Sequence, residues 1–173
     1  MAGHPDDPDW LSPEAALGRF TPPPRQAGGG AMTEGRRFGF RIGGVGFLID
    51  PGLSSEVLEQ LSTFPVPHTP EWLSGIANLR GNLVPVFDLT RLWQWSRPRE
   101  PGRLLILDRG ERAVGLVVDE LPVTLIPGSP LATPPPLPTI LREHLIKAYT
   151  QEETLWLDYD HPGLFRAIAA QLG

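Results

Sequence analysis

The sequence contains no cysteine. Disulfide staples, thiolate metal sites and cysteine nucleophiles are excluded together, and the composition suits a reducing compartment. Long apolar runs are missing as well: none approaches the roughly 20 residues that a membrane-spanning helix requires. The opening, Met1-Ala2-Gly3-His4-Pro5-Asp6-Asp7, has no basic stretch followed by an apolar one, so the expectation is a soluble, cytoplasmic chain with no direct membrane insertion. Positive charge is scarce: 15 Lys plus Arg face 20 Asp plus Glu, and no basic run exceeds Arg36-Arg37. A surface built to neutralise a phosphate backbone is lacking, and aromatics do not alternate with basic residues. No nucleic-acid partner is therefore expected.

Proline and glycine, by contrast, are plentiful: 21 Pro and 19 Gly among 173 residues, with 40% hydrophobic and 20% charged residues. That length holds one cored domain plus tails, or two small subdomains around a shared interior. Residues 1–35 contain Pro22-Pro23-Pro24 and Gly28-Gly29-Gly30 and read as a largely disordered extension. Within it, Ser12-Pro13-Glu14-Ala15-Ala16-Leu17 has the serine cap and first-turn proline of a short helix. The folded domain is expected over 36–172.

From Phe38 the pattern becomes that of strands. Phe38, Phe40 and Ile42 alternate with Gly39 and Arg41, and Gly43-Gly44 turns the chain into Val45-Gly46-Phe47-Leu48-Ile49. Gly81-Asn82 interrupts two further runs, Ile76–Leu79 and Leu83–Phe87, after which Asp88 is placed to cap a short helix through Leu89–Trp93. More strands are expected at Leu104–Leu107, at Ala113–Val118 across an Asp108–Glu111 turn, and at Val123–Ile126. A proline-heavy loop, Pro127 to Pro138, precedes the last unit. Setting Leu73 on Leu145 without gaps brings Phe87 onto Tyr159 and Asp88 onto Asp160, a faint duplication of strand, turn, strand, aspartate and helix. Asp158 falls where Val86 calls for an apolar residue. The expected architecture is mainly β: two similar small barrels, because short strands split by Gly and Pro are better closed than left with open edges.

Motifs for catalysis are few. Gly43-Gly44-Val45-Gly46 lies between strands and lacks a following Gly-Lys-Ser/Thr, so it reads as a hairpin turn and not as a phosphate loop. His4, His68, His144 and His161 form no ligand spacing and read as surface residues; no serine sits in a Gly-x-Ser-x-Gly elbow. No cofactor or metal site is expected, and no catalytic residue. The paired carboxylates Asp119-Glu120 and Asp158/Asp160 read by default as solvated strand ends. A small β-barrel hydrolase working through Asp119 and Glu120, or a nucleic-acid-binding barrel, remain the rivals from other classes.

One segment stands apart. An arginine beside a glycine, Arg80-Gly81, lies between two apolar strands, with Asn78 read as pointing to the same side as Arg80. In this stretch Val66-Pro67-x-x-Pro70, Trp72-Leu73-x-Gly75-Ile76-x-Asn78-Leu79-Arg80-Gly81 and Leu83-Val84-Pro85-Val86-x-Asp88-Leu89 follow in order. Here the sequence resembles the CheW-like family of chemotaxis coupling proteins, and Val114-Gly115-Leu116-Val117-Val118-Asp119 resembles a second family stretch. The likeness extends over roughly residues 36 to 172. The opening Phe38–Gly44 and the Pro-rich extension are most similar to PilI-type members, which serve type IV pilus twitching.

The resemblance implies a fold of two small five-stranded β-barrels sharing a hydrophobic interior, with short helices. It implies a non-catalytic adaptor between a methyl-accepting chemoreceptor's cytoplasmic tip and the regulatory domain of a CheA-like histidine kinase, recruited to membrane receptor arrays. A flagellar chemotaxis pathway is the alternative to the pilus one. The partner-binding residues it implies are Asn78, Leu79, Arg80, Gly81, Val84 and Pro85, with an apolar groove between the barrels taking the receptor tip. Family members carry Val-x-Glu after the second strand; here Glu56 precedes Val57, which puts a contact carried over onto either residue in question.

Overall fold

The structure is a computed structural model that describes residues 35–58, 63–96 and 102–172. The N-terminal extension, with its expected Ser12–Leu17 helix, lies outside the described residues, and no described helix is long and apolar enough to cross a membrane.

Among the described residues twelve strands follow one another: β1 Arg37–Ile42, β2 Val45–Ile49, β3 Ser55–Leu58, β4 Thr63–Phe64, β5 Leu73–Leu79 and β6 Asn82–Phe87, then β7 Arg103–Leu107, β8 Val114–Val118, β9 Val123–Leu125, β10 Ser129–Pro130, β11 Leu145–Gln151 and β12 Thr154–Tyr159. They make two curled six-stranded sheets, ordered β10-β11-β12-β2-β1-β9 and β3-β7-β8-β6-β5-β4. The fold is mainly β, as expected. Each sheet carries the five strands of a small barrel plus a two-residue strand on one edge, Ser129–Pro130 or Thr63–Phe64. The former sits inside the proline-heavy segment read as loop, where Leu131 N–H also bonds Ala148 O at 2.8 Å.

The faint duplication is real and interlocked. The hairpins β5–β6 and β11–β12 share their register residue for residue, down to a bulge at Leu73/Gly75 and at Leu145/Lys147. Each ends on an aspartate that caps a helix: Asp88 accepts from Arg91 N–H at 3.3 Å ahead of Leu89–Leu92, and Asp160 from Gly163 N–H at 3.2 Å ahead of His161–Ala169. Yet neither sheet belongs to one half of the chain. The hairpin β1–β2 joins β9–β12, whereas β7–β8 joins β3–β6, so each sheet combines the first hairpin of one repeat with the last four strands of the other. Junctions between repeats are short parallel ladders, Trp156↔Gly46 and Leu157↔Phe47 in one sheet, Val86↔Gly115 and Phe87↔Leu116 in the other.

Apolar faces of both sheets close on one interior, which holds Phe40, Ile42, Phe47, Phe87, Leu105, Leu116 and Leu157, with Leu164, Phe165 and Ile168 of the last helix. Phe47 is its centre: its ring stacks on Phe40 at 5.6 Å and meets Tyr159 edge-on at 5.5 Å. Each such aromatic side chain taken from water contributes about 1.5–3 kcal/mol, with somewhat more from ring geometry. Trp156 lies on the opposite face of its sheet and covers Gly39 and Gly46, where any Cβ would collide with the indole.

Three sequence expectations are corrected. The β5–β6 turn is Arg80-Gly81, not Gly81-Asn82, with φ of 51° and 90° at its two central residues. A two-residue hairpin of this hand needs positive φ at both, and glycine supplies it freely only at the second. Phe38 shares the phase of Phe40 and Ile42 but is 56% exposed, near the start of β1, although its cross-strand partner Ile49 is buried in the core. His161 is buried rather than on the surface; its ring lies 4.8 Å from that of Phe165 and 6.2 Å from that of Tyr159.

Two outcomes follow for stability. Gly46→Ala places a methyl against the Trp156 ring at a junction strand, and urea unfolding is expected to show a loss of about 1–3 kcal/mol. Burial holds the His161 pKa below the usual histidine value, against weaker upward pulls from Asp108, Asp160 and Asp50. The unfolded chain then takes up a proton near pH 6.5 while the folded one stays neutral, so stability falls as pH drops from about 6.5 through the folded value. In urea titrations at pH 7.5 and 5.5, His161→Asn is expected to flatten that part of the pH dependence; an unaltered slope would place its origin elsewhere.

Candidate functional site

The Arg80-Gly81 turn is held by Asn78, whose Oδ1 accepts from Gly81 N–H at 2.9 Å. That bond satisfies the turn's amide and keeps Arg80 in the left-handed region, which costs a non-glycine residue about 1–2 kcal/mol. Arg80 in turn donates through Nη2 to Glu56 Oε1 at 2.7 Å, its side chain 75% exposed. Glu56, whose displacement from the family spacing left its role in question, therefore faces the arginine directly from β3.

Beneath this pair is a cleft of about 460 Å³. Its floor is the buried trio Val84, Ile106 and Ala113, which forms a second apolar cluster on the outer face of the sheet, with Leu79 packed beside it. Arg80, Glu56, Asp108, Arg109 and Gly110 are among the residues that line it. The opening comes from register. If β6 met β8 as β12 meets β2, Val84 would face Gly115; instead Val86 does, so the β5–β6 hairpin is slipped two residues past its neighbour. At ~3.3 Å per residue the tip overhangs by roughly 7 Å, and the even slip keeps every side chain on its face. Pro85, which has no N–H for a ladder, stands immediately before the first β6–β8 pair. The β7–β8 connection fills the far side with a 3₁₀ turn at Gly110–Arg112, where β1–β2 needs only Gly43-Gly44.

Of the six residues singled out from the sequence, Leu79, Arg80 and Val84 line the cleft. Asn78, Gly81 and Pro85 do not line it: the first two build the turn and the third borders the ladder. Asn78 does not share a side with Arg80. It pairs with Leu83 on the strand face opposite that of Leu79 and Val84, since pleating alternates the faces. The groove that Arg80 borders is likewise on the outer face of one sheet and not between the two, where the aromatic interior already fills the space. Sequence reasoning missed Arg109, whose only signal was the extra length of the Asp108–Ala113 connection.

The paired carboxylates have structural partners. Asp119 accepts from Gly43 N–H at 3.1 Å and Gly44 N–H at 2.9 Å, closing the β1–β2 turn, and Glu120 pairs with the Arg41 guanidinium. Asp158, the polar residue at an apolar position of the repeat, is matched by Arg37 at 3.2 Å, and Asp160 is a helix cap. No two of these acids share a site in the manner of an acid/base pair.

Known proteins resemble the chain over the described region. A family profile described as the CheW-like domain matches residues 37–169. Protein PilI of Pseudomonas aeruginosa is 35% identical over 85 residues, covering 48% of this chain and 48% of PilI, so the match spans about half of PilI's length. Protein FrzA of Myxococcus xanthus is 30% identical over 127 residues, 72% of this chain and 79% of FrzA. The crystal structure of the scaffolding protein TtCheW from Thermoanaerobacter tengcongensis aligns with a TM-score of 0.60 and 25% identity, covering 75% of this chain and 86% of that one.

Because the Arg80–Glu56 pair is largely solvated, Arg80→Ala is expected to change unfolding free energy by no more than about 1 kcal/mol. A larger loss in urea unfolding would show that the arginine serves the fold and is not free for a partner.

Proposed function

As the chain belongs to the family of CheW-like domains, we propose that it is a non-catalytic adaptor joining a methyl-accepting chemoreceptor's cytoplasmic tip to the regulatory domain of a CheA-like histidine kinase. It acts in the cytoplasm at membrane receptor arrays, in a chemotaxis-like pathway that governs type IV pilus twitching. The pilus assignment is supported by the likeness to PilI, and the coupling role by the likeness to a protein named as a scaffold. A flagellar pathway is the second reading, and the same adaptor chemistry serves either. The folded domain of the proposal is 36–172, preceded by the extension 1–35.

The observation that carries the reading is the Arg80 turn. A non-glycine residue is held at positive φ by a dedicated side-chain bond, so that its guanidinium stands over an open, apolar-floored cleft. The positive φ belongs to the two-residue turn and recurs at Glu152 and Glu153, but the turn does not call for an arginine there, since Gly, Asn or Asp adopts that backbone more readily. In the proposal Asn78, Leu79, Arg80, Gly81, Val84 and Pro85 form the partner-binding corner: Arg80 gives the polar anchor, the partly buried Leu79 the apolar contact, and Asn78, Gly81, Pro85 and the buried Val84 set the geometry. Recognition of this type takes its affinity from buried apolar area and its register from few polar contacts.

The test is assembly. The full chain, a receptor cytoplasmic fragment and a kinase regulatory domain from the same organism are expected to co-elute as a ternary complex in size-exclusion chromatography. Arg80→Ala is expected to weaken receptor pull-down while leaving the circular dichroism spectrum and unfolding midpoint nearly unchanged. A chain that joins neither partner sinks the adaptor reading, and unaltered pull-down removes Arg80 from it.

A further inference from the structure

The two hairpins that share a register differ in what covers them. In β11–β12, Ala148 and Leu157 are buried in the common core and Leu155 packs against it; Leu131 continues that face across the edge, its N–H bonded to Ala148 O at 2.8 Å. Their counterparts, paired in the same way, are Ile76, Pro85, Leu83 and Phe64. These lie on the strand face that runs on to Phe87 and the core. Yet Leu83 is 71% and Phe64 64% exposed, and Ile76 and Pro85 are only partly buried. The difference lies in one connection. From β10 to β11 fourteen residues, 131–144, include a helix at Thr139–Glu143; Leu141 is fully buried in the core, and Leu137 and Ile140 pack against it. From β4 to β5 there are eight, 65–72, with three prolines and no helix. Trp72, the large apolar side chain of that connection, is engaged with Phe87, ring to ring at 6.1 Å. One hairpin is covered by its own chain, and its twin is left as an apolar shelf.

We propose that this shelf, made by Phe64, Ile76, Leu83 and Pro85, takes a short helical turn of a partner protein carrying adjacent aliphatic residues, which does there what Ile140 and Leu141 do in the twin. That the occupant belongs to another protein rests on the adaptor reading; its chemistry is read from the twin. Covering exposed aromatic and aliphatic side chains removes apolar area from water, and a helical turn brings aliphatic groups to such a surface with its own backbone bonds satisfied. Size argues against a second copy. Two largely exposed side chains and their partly buried neighbours offer on the order of a few hundred Å², short of the roughly 800 Å² that each partner buries in a stable complex. A segment of one or two turns matches that area. Charge does not direct the choice, since Arg80 of the tip and Glu71 of the connection are paired within the chain, with Glu56 at 2.7 Å and Arg91 at 3.9 Å. The shelf is also distinct from the cleft beside Arg80, because Leu83 is on the strand face opposite that of Leu79 and Val84.

A capped peptide with this chain's own Leu137–His144 sequence, taken from the connection that covers the twin, is the probe; it is added to the isotope-labelled full chain and followed by amide chemical shifts. It is expected to move resonances of Phe64, Ile76, Asn78 and Leu83 in a saturable way. The same peptide with Ile140→Ser and Leu141→Ser is expected to bind at least about tenfold more weakly, the loss of two aliphatic contacts. In the full chain, Leu83→Ser should weaken the unaltered peptide by about fivefold or more and leave the urea unfolding midpoint nearly unchanged, because the side chain is 71% exposed. Phe64→Ser repeats the test from the neighbouring strand. Equal binding of the two peptides, shifts confined to other surfaces, or binding unaltered by both substitutions would overturn the proposal. So would a clear fall of the unfolding midpoint in both variants, since the shelf would then serve the fold. Shelf shifts that grow with the chain's own concentration and ignore peptide would also overturn it, with a second copy as the occupant. Peptide binding without ternary assembly would keep the shelf and lose the adaptor reading; assembly with a silent shelf would do the reverse.

Discussion

Everything in this fold hangs on two short parallel ladders. Each is only two residue pairs long, and each is the place where a hairpin of one repeat is stitched to a hairpin of the other. A glycine sits in both, Gly46 under the Trp156 ring and Gly115 opposite Val86. A Cβ at Gly46 would collide with the Trp156 indole, whereas one at Gly115 would come to 3.0 Å from Val86 Cγ2, a tight contact that the side chain must yield to. The aromatic interior then makes the stitch cooperative: Phe47 lies in one ladder and Phe87 in the other, and both rings reach the shared core. Neither half of the chain closes a sheet by itself.

The same constraint accounts for the cleft. A sheet that is stitched at two pairs has freedom in where the stitch is placed, provided that the slip is even. In one sheet the ladder starts at Trp156 and the hairpin ends flush with its neighbour; in the other it starts at Val86, and the tip stands proud over Val84, Ile106 and Ala113. Pro85 makes the earlier register poor, since it would sit in the ladder without a donor. An opening made in this way needs no large insertion and no loss of core. It needs a proline, a slip of one pleat and a slightly longer turn on the opposite side.

How much of this was legible in the sequence varies with the range of the interaction. The Gly43-Gly44 hairpin, the Asp88 cap and the duplicated strand–turn–strand units are local and could be read from residue types. The turn at Arg80-Gly81 was misplaced by a residue because Asn78, not glycine, decides it, through a side-chain bond that spacing does not reveal. The side that Asn78 faces followed from the same error: counted as continuous strand, Arg80 shares its phase, but Arg80 belongs to the turn. His161 was taken for a surface residue because nothing nearby in sequence announces that Tyr159 and Phe165 enclose it. The cleft itself was not legible, since it depends on a register between β6 and β8, strands that lie far apart in the chain. The resemblance to coupling proteins drew attention to Arg80; that Arg109 lines the same cleft depends on the fold.

Duplication raises a question of logic for an adaptor. A protein that bridges two different partners needs two unlike faces, whereas an internal repeat begins with two alike. At the hairpin tips the copies differ in charge on the same backbone. Both turns have two residues at positive φ, but one is Arg80-Gly81 and the other Glu152-Glu153. One copy therefore presents a cation above an apolar recess, and the other presents a pair of carboxylates. Charge at an exposed tip changes fold stability little but strongly biases which surface approaches it. Divergence there converts a symmetric scaffold into one with distinguishable ends without disturbing the ladders on which both sheets depend. On this view the shared backbone geometry and the opposite charges are one solution: the fold is kept by the stitches, and the two ends are made different where the stitches end.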